Sequence, residues 1–370
     1  MQNSNEKGSL FVLAASAAVI AVVAAQVKLV VAAEYTDEMV KCVRGIVEDP
    51  KNKPNAPGLI RLLFHDAMVR GLDGSVLLTS TPFNTTSNSL LPNLKGPTEQ
   101  GSLSNGGLRG MEMIDEIRAK LAEKNTIASC ADAVAFAARE ATFVLSNGKI
   151  EYAVDGPGRQ DGVVSAVEDP GRFLPAPTYS YEEILTNFTS KGFTKVDLVA
   201  LSGAHAVGVA HPLMFSFADR FLPSATIENK IDPFYRAFML LETKDFTDPQ
   251  VDLNVRDMTP TTQTLSGYKP DGVNTSAVGV LDNSYYNANL QNMVLFTSDT
   301  ALRGNAEQLL EDYKKDANVW NAAFSAAMTK LSNTLKAEGP IFEDGSRKKC
   351  SATNHDNQDS YSSAKPLNAR

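Results

Sequence analysis

The chain has 370 residues with 43% hydrophobic content, enough to bury a sizeable core as one large domain or two closely packed halves. Its formal net charge of -8 and isoelectric point near 5.2 argue against nucleic acid and against an anionic membrane surface as partners. Three cysteines, Cys42, Cys130 and Cys350, are too few for a disulfide scaffold and are not spaced as a metal knuckle.

Residues 10–25, LFVLAASAAVIAVVAA, form an apolar run behind a short polar segment and are followed by small residues suited to cleavage. That pattern predicts a secretory signal over 1–33; the alternative is an uncleaved anchor. Three Asn-x-Ser/Thr sequons, at Asn84, Asn187 and Asn274, agree with export and N-glycosylation. Residues 35–48 carry apolar positions at helical intervals and predict the first helix of the mature chain, stopped by the Pro-rich DPKNKPNAPG.

The run GLIRLLFHDAMVRGLDGSVLL, from Gly58 to Leu78, opens like a buried helix yet carries Arg61 and His65 four residues apart, on one helical face. The plain reading is a satisfied structural pair. Asp66, Asp73 and Ser75 follow around Gly71 and Gly74, and hard oxygen donors on a glycine-relaxed loop suit calcium, although an ordinary polar turn would look alike. Residues 79–107 lack periodicity and predict a long surface loop of the kind that borders a site.

An amphipathic helix is predicted over 108–125 and an almost wholly buried one directly after it, followed by the turn-rich GPGRQDG with Arg159 and Asp161. Another helix is predicted over 178–192, and VDLVALSGAHAVGVAH places His205 on the apolar helix that follows, where a lone histidine is more often a core residue. Residues 250–281 are irregular. In LDNSYYNANL and FTSDTAL, Asp299 follows Asp282 by 17 positions; taken alone, Asp299 reads as a helix N-cap. A single long helix is predicted over AEQLLEDYKKDANVWNAAFSAAMTKLSNTL, with the only tryptophan, Trp320, in the core, and a polar tail over 353–370 sets His355 aside.

The Arg61–Ser75 run, with LSGAHAVG, resembles the haem peroxidases of plants, fungi and bacteria, and within them the secreted plant branch, whose distal helix reads R-x-x-F-H-D-C-F-V-x-G-C-D-G-S. Arg61, Phe64, His65, Asp66, Val69, Gly71, Asp73, Gly74 and Ser75 match at that spacing, and the resemblance covers roughly residues 36–352. It implies a mainly α-helical haem-peroxidase fold whose two halves, about 34–175 and 176–352, sandwich haem b. It implies His205 as the proximal iron ligand, Asp299 as acceptor of its other N–H, His65 as acid and base, Arg61 as charge stabiliser and Phe64 as a shield. Asn105, six residues after Glu99 as in the family's acid–asparagine pair, would accept a hydrogen bond from His65. Pro175, in LPAP, would lie near the exposed haem edge and substrate entrance, and Arg159 would pair with Asp132.

The same resemblance implies one calcium ion on Asp66, Asp73 and Ser75 with the carbonyls of Val69 and Gly71. A second, proximal calcium is poorly supplied: Asp282 could serve it, but Ala206 and Asn254 stand where oxygen ligands are usual. Cys130 and Cys350 occupy the places of one family disulfide, whereas Ala67, Leu72 and Pro212 remove two others and Cys42 does not align. The implied function is a secreted, monomeric peroxidase, with no stable membrane contact once the signal is cleaved, that reduces hydrogen peroxide while oxidising small phenolic or aromatic donors in one-electron steps, in keeping with a response to oxidative stress. A vacuolar destination is the alternative. Manganese oxidation is disfavoured because Pro54 and Gly58 stand where acids would be needed, and tryptophan-radical routes because Leu253 and Ala200 stand at the tryptophan positions. From a different class, the chain could be a non-catalytic, calcium-stabilised extracellular module for wall or glycan binding; the presence of His65, His205 and Arg61 weighs against it.

Overall fold

A computed structural model describes residues 34–79, 98–208, 231–242, 279–335 and 347–352. The chain divides into two units, Met1–Ala33 and Glu34–Arg370, and every described residue belongs to the second. The predicted signal, the sequons at Asn84 and Asn274, His211, Pro212, Leu253, Asn254, His355, most of the irregular 250–281 stretch and the polar tail lie outside the described residues.

Among the described residues the regular structure is helical, with no β-strand and one isolated bridge between Lys349 and Ala352. This is the predominantly α-helical architecture expected from the helical periodicities. The first half is built from α1 (Asp37–Glu48), α2 (Ala56–Arg70), α3 (Glu112–Glu123) and α4 (Cys130–Leu145). Helix α1 starts where the Thr36 hydroxyl accepts the Met39 N–H, and it buries Met39, Val43, Ile46 and Val47 on one stripe. Helix α2 is buried on nearly every side, which is why its sequence is apolar throughout and why polar Arg61, His65 and Asp66 within it must be satisfied by neighbours. It packs chiefly on α4, which begins at a Ser129–Asp132 capping box. Each fully buried Leu59, Leu62, Leu63 or Phe136 contributes ~1.5–3 kcal/mol of transfer free energy to this core.

The short α5 (Asp169–Phe173) packs on α2, where Arg70 pairs with Asp169, and the second half contains α6 (Tyr181–Ser190), α7 (Lys195–Ser202), α8 (Pro233–Glu242), α9 (Ser284–Leu290), α10 (Thr297–Thr300), α11 (Glu307–Lys315) and α12 (Ala317–Thr334). Capping boxes at Ser180–Glu183 and Thr194–Asp197 fix where α6 and α7 begin. Helix α12 packs along α7, and buried Trp320 donates its indole N–H to the Ala200 carbonyl at 3.1 Å.

Two elements differ from the sequence reading. The predicted last helix is two helices, because Asp316 takes an extended conformation and turns its carboxylate back to accept the Asn318 N–H, starting α12 anew. His205 does not lie on a continuing α-helix but on a 3-10 turn, Gly203–Ala206. The turn is pressed against the core: a Cβ on Gly203 would sit 2.6 Å from Trp320 Nε1 and from the Tyr286 hydroxyl, so only glycine admits this approach.

The last described residues return to the first half. Cys350 is bonded to Cys130 across 220 positions, with Cα atoms 5.6 Å apart. Leu72 N–H donates to the Leu335 carbonyl and Thr79 N–H to the Ser351 carbonyl, both at 2.9 Å. Cys42 is a free, half-buried thiol. No described helix is long and apolar enough to cross a membrane.

Candidate active site

The spacing that puts Arg61 and His65 one turn apart on α2 brings Arg61 Nε to 3.1 Å from His65 Nε2. On the other side of the ring, His65 Nδ1 lies 2.6 Å from Asn105 Oδ1. The amide of Asn105 is oriented by its own nitrogen, which donates to the Glu99 carbonyl at 2.9 Å. Its oxygen therefore faces His65, so Nδ1 carries the hydrogen and Nε2 keeps the lone pair, which Arg61 meets with an N–H. Burial, then the Arg61 charge, push His65 down to about 3, leaving the imidazole neutral at physiological pH despite the opposing bond to Asn105. Arg61 is drawn down to about 10 by burial and by Arg109, yet stays cationic, and it is held by the carbonyls of Gly106 and Ser104 at 3.1 Å each. Phe64 is half-buried, its ring 6.2 Å from that of His65 and 5.9 Å from Phe188.

Behind this pair lies the oxygen-rich loop. The Asp66 carboxylate accepts the Gly74 N–H at 2.7 Å and the Val76 N–H at 3.3 Å, and Asp73 accepts the Ser75 N–H at 2.9 Å. Gly71 and Gly74 have φ of 84° and 67°, the left-handed geometry that closes the loop. Asp66, Asp73 and Glu99 are all buried, and burial followed by their mutual repulsion raises Asp66 and Glu99; burial raises Asp73 as well. Ser75 Oγ and Glu99 Oε2 are buried without a formed hydrogen bond. Orphaned oxygens beside crowded carboxylates fit a hard cation bound by oxygen. Among the described residues no three His, Cys, Asp or Glu side chains converge on one point; the Asp66, Asp73 and Ser75 set holds two carboxylates, the remaining oxygens being a hydroxyl and the backbone.

On the proximal side, the 3-10 turn presents His205 with its side chain 35% exposed, and Nδ1 lies 2.9 Å from Asp299 Oδ1. The carboxylate fixes the hydrogen on Nδ1 and leaves Nε2 with a lone pair, the donor form that suits a haem iron. The ring packs edge-on to Tyr285 and Phe296, at 6.2 and 5.3 Å between centroids. Asp299 lies within the single turn of α10, not at its N-cap, which is Phe296, and α10 is tied to the LPAP segment by the Ser298 N–H bonded to the Pro177 carbonyl at 2.8 Å. Half-buried Pro175 belongs to the same segment, between α5 and α6.

Other predicted residues find local partners. Asp282 accepts the Ser284 N–H at 2.9 Å at the head of α9. Arg159 pairs with Asp132 at 3.0 Å and also donates to the Ser332 carbonyl, bracing the two halves. Asn187 lies inside α6 with its amide nitrogen given to the Phe173 carbonyl at 2.8 Å, an arrangement that withholds this sequon's acceptor atom. Sequence reasoning passed over three contributors. Tyr285 and Asn289 reach Asp299 from α9, and Arg347, fully buried, donates to the Gly74 carbonyl while its backbone N–H meets Asp161 at 2.8 Å. The tyrosine pair in LDNSYYNANL was the available signal for the first; nothing in SRKKC marked the arginine.

Comparison with known proteins places these residues in context. The family model described as peroxidase matches residues 39–316. The chain is similar to Peroxidase 2 of Zea mays, with 35% identity over 82% of this chain and 82% of that protein. It is similar to Peroxidase 5 of Vitis vinifera at 34% identity, over 75% and 76% of the two chains, and to Peroxidase 56 of Arabidopsis thaliana at 31%, over 84% and 85%.

Proposed function

The chain belongs to the peroxidase family as a plant-type member and is a peroxidase-type oxidoreductase, and from that premise we propose that it is a secreted haem peroxidase that reduces hydrogen peroxide and oxidises small phenolic or aromatic donors one electron at a time. The observation that carries the reading is the relay from the Glu99 carbonyl through Asn105 to His65, which leaves a neutral imidazole with its Nε2 lone pair facing the Arg61 guanidinium.

Haem b, when bound, supplies the redox centre at which peroxide is cleaved and electrons are taken from the donor. His205 would hold the iron through Nε2, with Asp299 keeping the hydrogen on Nδ1. His65 Nε2 would take a proton from incoming peroxide and return it to the departing oxygen, a task for which its depressed basicity keeps it unprotonated beforehand. Arg61 would turn from His65 toward the charge that develops as the O–O bond breaks. Phe64 would exclude bulk water and donor from the peroxide side, and Pro175 would line the approach for the reducing substrate. One calcium on Asp66, Asp73, Ser75 and the carbonyls of Val69 and Gly71 would neutralise the crowded carboxylates and stiffen the loop that follows His65; Asp282, already engaged with Ser284, is a weak candidate for a second. The domain reading that goes with this is a cleaved signal over 1–33, a peroxidase domain over 34–352 and a polar tail.

Purified protein should show a Soret band and oxidise a simple phenol only when peroxide is added. His205→Ala should lose haem retention, and His65→Ala should keep haem and lose peroxide cleavage. Full haem occupancy with no turnover would instead favour a non-catalytic binding module.

A further inference from the structure

We propose that Tyr285 is a positioning residue for the proximal histidine: its hydroxyl competes with His205 for a single oxygen of Asp299 and thereby limits the electron-donor strength of the imidazole toward iron. The inference rests on the reading of His205 as the haem ligand and deepens it.

The geometry is specific. Asp299 Oδ1 accepts from His205 Nδ1 at 2.9 Å and from the Tyr285 hydroxyl at 2.8 Å, while Oδ2 is buried without a partner. Both donors therefore load the same oxygen although a second one is available. Tyr285 is fully buried on α9 with its ring edge-on to His205, so its hydroxyl has no solvent alternative. Asn289, one turn further along α9, fixes which way the phenol points. Its amide nitrogen donates to the Tyr285 hydroxyl oxygen at 3.1 Å and to the Asp299 backbone carbonyl at 2.8 Å. With its oxygen occupied from behind, the hydroxyl must spend its hydrogen on Asp299, and an N–H received there makes it a stronger donor.

The consequence follows from charge. A carboxylate that binds one donor pulls hard on that donor's hydrogen and gives an imidazole anionic character; a second hydrogen bond to the same oxygen spreads the negative charge and weakens the pull. Buried and fixed from behind by Asn289, the Tyr285 hydroxyl keeps its hydrogen directed at Asp299. Tyrosine at this place thus moderates the push that Asp299 exerts through His205, and phenylalanine would release it while filling the same volume.

The test uses the haem-loaded protein and reads the iron–histidine stretching band of the ferrous form by resonance Raman, together with the midpoint potential. Tyr285→Phe should raise the band frequency and shift the ferric-to-ferrous ratio at fixed electrode potential toward ferric by roughly three- to tenfold, a fraction of one charge-assisted hydrogen bond. Asn289→Leu, which keeps the phenol but removes the N–H behind it, should move both readouts the same way by less. Asp299→Asn should move them the opposite way. An unmoved band in haem-bound Tyr285→Phe overturns the inference and leaves the haem assignment standing. Should that variant not fold, an unmoved band in Asn289→Leu overturns it. Absence of any iron–histidine band in the wild type would instead reject His205 as the ligand.

Discussion

Replacing Asn105 with valine removes both ends of the relay behind His65, the acceptor for Nδ1 and the bond to the Glu99 carbonyl, and so tests what that relay contributes to the peroxide step. In the native arrangement two partners select the same tautomer of His65: Asn105 accepts from Nδ1 at 2.6 Å and Arg61 donates to Nε2 at 3.1 Å. Valine, one heavy atom smaller, fits the space and removes the acceptor, leaving a buried N–H unsatisfied at a cost of ~1–3 kcal/mol. That cost shifts the balance toward the tautomer with hydrogen on Nε2, which cannot accept a proton, by roughly 5- to 150-fold. Because Arg61 still favours the native tautomer, the loss should lie near the lower end and below the ~10²–10⁴-fold of removing the base outright. Stopped-flow measurement of the bimolecular rate of the ferric protein with hydrogen peroxide reads the quantity directly. His65→Ala should be slowest of the set. A wild-type rate in Asn105→Val would refute the assignment of the tautomer, and with it the role of the Glu99–Asn105–His65 relay.

Three further outcomes are expected. His65 sits at about 3 when folded against an ordinary 6.5, so the unfolded chain takes up a proton first as pH falls, and folding stability is lost from pH 6.5 down to about 3; the share lost by pH 5 is about 2 kcal/mol and should be absent from the pH dependence of His65→Leu in denaturant titrations. Asp66, Asp73 and Glu99 shift the other way, so without a cation the folded state loses stability as pH rises out of the carboxylate range; chelation should lower the melting temperature little at pH 5 and most at pH 8, and an equal effect at both would exclude calcium from this loop. Finally, the Cys130–Cys350 bridge closes a loop of 220 residues, for which chain entropy gives about 5 kcal/mol as an upper figure; the Cys130→Ala/Cys350→Ala protein should unfold at clearly lower denaturant concentration, and an unchanged midpoint would contradict the bridge's stabilising role.

The longer helices were legible from apolar positions at helical intervals, as in α1 and α3; the Ser or Thr three residues ahead of an acid at the starts of α4, α6 and α7 is a further mark that the reading did not use, and α5, α8, α9 and α10 were not predicted. The run from Arg61 to Ser75 announced itself because polar groups in an apolar helix demand an account. What stayed hidden were features set by packing across the chain. The break at Asp316 depends on a side chain preferring a cap to a helical interior, and the 3-10 turn at His205 depends on Gly203 being pressed onto Trp320 and Tyr286, which are distant in sequence. Tyr285 reads as one more core aromatic until its hydroxyl is seen 2.8 Å from Asp299, fourteen positions away. Arg347 is the extreme case: a cation with its side chain wholly buried contradicts the usual rule for arginine, and its burial is offset by one bond to the Gly74 carbonyl, an ion pair with Asp161 at 3.9 Å and the charges of Asp73 and Asp66, while Nε and Nη1 find no hydrogen-bond partner among the described residues.

The return of residues 347–352 to the first half bears on how the protein is made. The loop after α2 is translated early, yet three of its ties, through Leu335, Arg347 and Ser351, come from residues more than 250 positions downstream. During synthesis the early helices can assemble with one another, but the polypeptide downstream must be delivered before the carboxylate-rich turn is locked and before Cys130 meets its partner. Ribosome-stalled chains truncated ahead of Leu335 should therefore hold a protease-resistant α1–α4 core with an unfastened turn. Arrival of residues 335–352, rather than docking of neighbouring helices, would be the event that finishes the first half of the molecule.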